Sequence, residues 1–362
     1  MNDMQGLAGE TRGEPDSAFR FEGDWREFLP IALTNLLLIV VTLGIYRFWA
    51  KARERRYLWS RTRFIDETLE WTGTGKEMLI GFLIVIMVVA PLAVGANLAI
   101  EALFLRGQGD LALLLGLGLY AIVFYMVGVA QFRALRYRLS RTYWHGIRGG
   151  SADGGWGYGW QFMWKTVAGF MVFGLLVPWS MTELWNDRWN RMSFGQHEFR
   201  AGADTHGLFH RWLIVYLVPV VAVIAVAAAT GAMISLAAGP SEAAAAAFVF
   251  ALLFVYLAFL LASLSYYAAY YRQVVNATAV AGIDFEFRAR TKDWLKLILG
   301  NIGLVIVTLG VGLLFLGYRN WAFAVRHLEA AGEINLDDLL QSPFAATGDA
   351  EGLADAFDIG AI

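Results

Sequence analysis

Seven long apolar runs, separated by short polar stretches, set the pattern of this chain: Phe28–Trp49, Met78–Ile100, Leu111–Ala130, Phe162–Leu184, Trp212–Leu236, Ala244–Tyr270 and Trp294–Tyr318. Each is about twenty residues or longer, enough to cross roughly 30 Å of hydrocarbon as a helix. Between them lie "FRFEG" (Phe19–Gly23), "LEWTGTG" (Leu69–Gly75), "HEFRAGAD" (His197–Asp204) and "FEFRAR" (Phe285–Arg290). These alternate apolar and polar residues, the period-two pattern of a half-buried strand. The expected fold is an all-α polytopic membrane protein with internal repeats and short juxtamembrane β-strands. An integral membrane domain over 19–330 is expected between two disordered tails, 1–18 and the acidic 331–362. The polar, acidic start of the chain is not the pattern of a cleavable signal peptide.

The apolar runs are related to one another. "NLLLIVVTLG" (Asn35–Gly44) and "NIGLVIVTLG" (Asn301–Gly310) share their Asn and their Thr-Leu-Gly ending, and "KTVAGFMVFG" (Lys165–Gly174) has the same spacing. A threefold repeat follows, with elements near 19–75, 145–204 and 283–330. The block "NLLLIVVTLGIYRFWAKARERRYLWSRT", the loop "WHGIRGGSADGGWGYGW" and the closing "TLG" resemble the YjgN family of bacterial inner-membrane proteins, domain of unknown function 898. The resemblance covers roughly Phe19 to Ala330. It implies a multi-pass protein of the bacterial inner membrane and carries no activity with it. The chain departs from the family pattern at "VFGLLVPW" in the fourth run and after Gly310.

Composition agrees with the membrane reading: 58% of the 362 residues are hydrophobic, 17% are charged, and the mean hydropathy is +0.51. Soluble domains carry about 25% charged residues. Absence of cysteine excludes disulfides, thiolate nucleophiles and Cys-ligated metals.

Charge bears on topology. If all seven runs cross, Lys and Arg divide almost evenly between the two sides. If runs one, four and seven return to the side they came from, Arg106 is the single Lys or Arg in the far-side loops. Short bacterial loops favour the cytoplasm for Lys and Arg. The preferred reading is therefore four spanning and three re-entrant or interfacial runs, with both termini cytoplasmic; seven crossings is the alternative.

"RYLWSRT" (Arg56–Thr62) and "RYRLSRT" (Arg136–Thr142) are near twins that follow apolar runs. Arg55, Arg56, Tyr57, Arg61, Arg136, Tyr137, Arg141, Arg188 and Arg191 are expected to anchor the cytoplasmic face. There, arginines oppose translocation and aromatic rings settle at headgroup depth. The same residues could form a surface for lipid headgroups.

Candidate chemistry is sparse. His197, His206 and His210 lie near Glu198 and Asp204 without a metal motif, the glycine-rich loop lacks a phosphate-loop pattern, and there is no nucleophile elbow. No enzymatic constellation, metal site or cofactor is expected. The polar residues of the repeated runs are Asn35, Lys165 and Asn301, with Thr34, Thr42 and Thr308. Either they pack the copies together by hydrogen bonds or they form a pseudo-threefold polar cluster lining a pathway, with Lys165 attracting anions. Two functions follow: transport or handling of a lipid or small solute, or a non-catalytic scaffold recruiting a partner through strands and basic loops. The expected partners are membrane lipids and an unidentified membrane or cytoplasmic protein, not nucleic acid.

Overall fold

The computed structural model describes residues 17–236, 242–332 and 340–341. Most of both expected tails lies outside them. Among the described residues, four helices are long and apolar enough to cross a membrane: α3 (Gly75–Leu105), α4 (Gly109–Arg141), α7 (Phe209–Leu236) and α8 (Glu242–Asn276). Runs one, four and seven are instead each broken near their glycine. They give α1 (Trp25–Val41) and α2 (Arg47–Ser60), α5 (Trp156–Met171) and α6 (Val177–Trp189), and α9 (Thr291–Val307) followed by a short 3-10 turn (Val311–Phe315) and α10 (Leu316–His327).

The strands are β1 (Phe19–Phe21), β2 (Thr62–Phe64), β3 (Glu67–Thr68), β4 (Glu70–Trp71), β5 (Thr142–Trp144), β6 (Ile147–Gly150), β7 (Ser193–Phe194), β8 (His197–Ala201), β9 (Thr278–Val280), β10 (Ile283–Phe287) and β11 (Leu328–Gly332). Strand, helical hairpin, strand is therefore the order five times over. Within each unit the two strands pair antiparallel: β1 with β2, β4 with β5, β6 with β7, β8 with β9 and β10 with β11. Successive units are joined by tight turns centred on Ile65, His145–Gly146, Gly195 and Ala281–Gly282, all with positive φ. Such turns match the natural twist of a hairpin.

The strands hydrogen-bond as two sheets, β1–β3 and β4–β11, and side chains bring the first strand against the last two. Phe19 of β1 lies 6.3 Å from Phe285 of β10, and the Ser17 hydroxyl donates to Glu329 of β11 at 2.9 Å. The resulting collar is filled by Phe64, Trp144, Ile147 and Ile283, with Phe19, Phe194 and Phe285 packed against them. All five helical hairpins leave the collar on the strand ends, so their turns point away from it.

Burial concentrates where helices meet strands. In the four long helices only 6–17% of the most apolar window is buried. Leu, Val, Ile and Phe cover their outer surfaces, from Leu83 to Leu98 in α3 and from Val249 to Leu261 in α8. Exposed apolar area of that extent suits lipid rather than water.

Candidate functional site

The three short hairpins form the most distinctive part of the molecule. At about 1.5 Å per residue, the 17 residues of α1 and of α9 reach roughly 25 Å, against about 45 Å for the 31 residues of α3. Each short hairpin turns on an apolar residue in the left-handed region followed by glycine: Leu43 (φ 51) and Gly44, Phe173 (φ 50) and Gly174, Leu309 (φ 49) and Gly310. A non-glycine residue pays about 1–2 kcal/mol there. The three side chains are 94%, 82% and 95% exposed, so nothing within the protein offsets that strain.

Thr42 and Thr308 serve these turns. The Thr42 hydroxyl donates to Leu38 O and accepts from the Tyr46 amide, at 2.7 and 2.9 Å. Thr308 does the same with Leu304 O and the Gly312 amide, at 2.6 Å each. Each hydroxyl therefore gives an acceptor to an amide just beyond the point where one helix stops, while the backbone amides of Thr42 and Thr308 already donate to the same carbonyls. Val172 holds the corresponding place in the central hairpin and lacks the hydroxyl.

Asn35, Lys165 and Asn301 point at the second helix of their own hairpin. Asn35 Oδ1 accepts from Arg53 at 3.2 Å, and Asn301 Oδ1 from Arg319 at 2.7 Å. Lys165 Nζ donates to Glu183 at 2.9 Å and to Asp187 at 2.6 Å. The separation is 18 residues in all three hairpins, with the charge reversed in the central one. Each of these groups is thus engaged in a clamp within its own hairpin.

The twin heptads likewise have matching roles. Tyr and Arg, four apart on the second helix of a unit, meet a glutamate in the first turn of the first helix. Tyr137 donates to Glu77 at 2.9 Å and Arg141 pairs with it at 3.2 Å. In the other copy Arg61 pairs with Glu27 at 2.8 Å and Tyr57 approaches it at 3.4 Å. The serines bond back to Tyr57 O and Tyr137 O, and the threonines to Leu58 O and Arg138 O. These are helix-to-strand joints.

Of the other expected anchors, Arg55 is buried with its guanidinium 4.9 Å above the Trp71 ring, and Arg188 is buried against Trp185. Arg136 donates to Asp153 O at 2.5 Å, and Arg191 to the Asp153 carboxylate at 2.6 Å. Arg56 is exposed. Burial opposes ionisation of Asp153, but the Gly155 amide and Arg191 outweigh it and hold its carboxyl below the usual range. Glu27, Glu77 and Asp153 escaped the sequence reading, since an isolated acid beside a helix start carries little signal without its distant partner. His197, His206 and His210 join no group of three metal-ligating side chains among the described residues.

A cleft of about 730 Å³ opens at the seam between the first and last units. Leu29, Leu297, Leu304 and Phe315 line its apolar length, and Lys296, Arg326 and the acid Asp293 flank it toward the collar.

A model of the family described as "Bacterial protein of unknown function (DUF898)" matches residues 16–356. The chain belongs to that family. Its relatives include proteins named "Inner membrane protein YjgN". That of Escherichia coli O157:H7 is 22% identical over 228 residues, 53% of this chain and 54% of the relative. That of Salmonella typhimurium is 26% identical over 130 residues, 36% of this chain and 30% of the relative. The matched part thus spans about half or less of these relatives. No solved structure matches the chain. With four long apolar helices and inner-membrane relatives, it is a membrane protein of a family without known function.

Proposed function

We propose that the protein is a non-enzymatic, multi-pass inner-membrane protein that handles lipids of the cytoplasmic leaflet. In this reading α3, α4, α7 and α8 span the bilayer. The three short hairpins enter from the collar side and turn back within the hydrocarbon, and the sequence repeat corresponds to them. Leu43, Phe173 and Leu309 then meet acyl chains at their exposed tips. Lys and Arg support a cytoplasmic collar, since Arg106, between α3 and α4, is far from it while the heptads end at it.

The observation that carries the reading is the seam cleft. Its apolar wall runs along half-depth hairpins, and toward the collar Lys296 and Arg326 outnumber the single acid of its lining, Asp293, the chemistry of an acyl chain with a phosphate head. A polar solute pathway has less support, because Asn35, Lys165 and Asn301 are already engaged within hairpins. A scaffold offering strands to a partner has less as well, since β5 to β10 are each paired on both sides.

Two measurements test this. The chain has no cysteine, so single cysteines at Gly109, Ser60 and Ser140 can be probed in intact cells with an impermeant thiol reagent. Labelling at position 109 alone is expected; labelling at 60 or 140 overturns the orientation. In reconstituted vesicles, faster lipid movement than in protein-free vesicles is expected, and Leu297→Trp, which fills the cleft, should abolish the difference. Equal rates with and without the wild-type protein overturn the function.

A further inference from the structure

A second cavity, of about 530 Å³, lies where the fourth and fifth units meet at the collar. Arg211 enters it from the first turn of α7, Arg272 from the last turns of α8, Arg288 and Arg290 from the connection between β10 and α9, and Lys292 from the first turn of α9. Glu286 is the one acidic residue of its lining, and its carboxylate already accepts from Arg288 at 2.8 Å. Arg211 is braced by the Ser265 hydroxyl and Arg272 by Ala289 O, both at 2.9 Å. Neither brace neutralises charge.

Arg272 shares this lining with Arg211 and Arg290, and Asp293, in the first turn of α9, has its carboxylate engaged by the Arg290 amide at 2.9 Å. Converging cations with so little acidic compensation stay together at an electrostatic cost that an anion would relieve. The start of the 17-residue α9 adds its amide dipoles to the same field.

Position selects the kind of anion. Arg211 is the third residue of a helix that continues as an uninterrupted apolar stretch, so the cavity lies where hydrocarbon gives way to the collar. Tyr271 of α8, next in sequence to the lining residue Arg272, stacks 5.8 Å from Trp294 of α9, two residues past Lys292, an aromatic pair of the kind found at headgroup depth. We propose that this cavity binds the phosphate headgroup of an acidic phospholipid, with Arg211, Arg272, Arg290 and Lys292 as its cationic ligands. The inference rests on the cytoplasmic-leaflet orientation above but not on the seam cleft. Zwitterionic lipids are disfavoured, because their ammonium or choline group would enter a cavity whose own carboxylate is taken.

The test is native mass spectrometry of the full chain after equal exposure to phosphatidylglycerol and phosphatidylcholine. Wild type is expected to retain phosphatidylglycerol selectively. Arg290→Gln with Lys292→Gln should weaken retention on the order of thirtyfold, and Lys292→Gln alone roughly fivefold. Lys292 is exposed, so the single variant remains informative where the double variant misfolds. Equal retention of the two lipids, or retention unchanged in both variants, overturns the site. Displacement of phosphatidylglycerol by inorganic phosphate at equal concentration overturns its assignment to a lipid. Selective retention in a protein that moves no lipid would sink the proposed function and leave this site standing.

Discussion

The Trp321 indole donates to the Thr62 hydroxyl at 2.9 Å, tying the last helix to the second strand across 259 residues of chain. Two related bonds cross other unit boundaries: Trp59 to Thr142 at 2.9 Å and Trp185 to Thr278 at 3.1 Å. Only the first joins the two ends of the meander. Trp321 also stacks on Trp59, their centroids 4.1 Å apart. Trp321→Phe keeps an aromatic ring and removes the donor, and Thr62 still bonds to Leu58 O. A loss of about 1 kcal/mol is expected, read as a lower midpoint of thermal unfolding in detergent. Trp321→Ala, which also removes the stack, should cost about 3–5 kcal/mol.

The two heptad joints should differ in strength because their burial differs. Side-chain exposures are 14% and 18% for Arg141 and Glu77, but 45% and 49% for Arg61 and Glu27. Removing one partner of a buried pair costs about 3–5 kcal/mol, whereas exposed pairs contribute about 0–1 kcal/mol. Glu77→Ala is therefore expected to destabilise severely and Glu27→Ala barely. Equal shifts in midpoint would contradict this account of the motif.

At the hairpin tips, Leu309→Gly removes left-handed strain and should raise stability in detergent by about 1 kcal/mol. In the proposed bilayer placement, Leu309→Asp should lower the fraction of chain that integrates, because a carboxylate within hydrocarbon is costly. A Leu309→Asp protein that integrates as well as wild type would place the tip in water.

Four of the seven runs are single helices, and periodicity with length was enough to find them, because nothing in α3 or α8 competes with helix over thirty residues. The breaks in the other three were visible only as Thr-Leu-Gly, and the central one, Val-Phe-Gly, lacked even the threonine. Strands at Phe19, Glu70, His197 and Phe285 were legible from alternation. Closing them into one collar was not, because the pairing of β4 with β5 or β8 with β9 joins residues some seventy or more positions apart. The polar positions Asn35, Lys165 and Asn301 stood out, but their partners 18 residues on sit in stretches already rich in charge, which hid the clamps.

Asp153 offers a pH test. Its carboxyl titrates below the usual value of 3.8, so the stability it contributes is present above that value and is lost as pH falls through the lower folded-state value. The carboxylate is about one-third exposed, which limits its contribution to about 1 kcal/mol or less. The difference in unfolding midpoint between wild type and Asp153→Asn should be constant from neutral pH to about 5 and then shrink toward zero. A difference that persists below the folded-state titration would assign the effect to packing rather than to charge.

The reversed clamp of the central hairpin allows a sharper test. Lys165 is 5% exposed and holds both Glu183 and Asp187. Lys165→Met leaves two partly exposed carboxylates without their partner, and a loss of about 1–3 kcal/mol is expected. Glu183→Arg alone sets two cations against each other. Combining Lys165→Asn with Glu183→Arg reproduces the Asn-to-Arg pair that Asn35 forms with Arg53 and Asn301 with Arg319 at the same spacing. Asp187 would remain to pair with the new guanidinium. The double variant should therefore recover most of the stability lost by either Lys165→Asn or Glu183→Arg, a coupling measurable in a double-mutant cycle. Additive losses would mean that the three hairpins share a spacing but not a common way of holding themselves together.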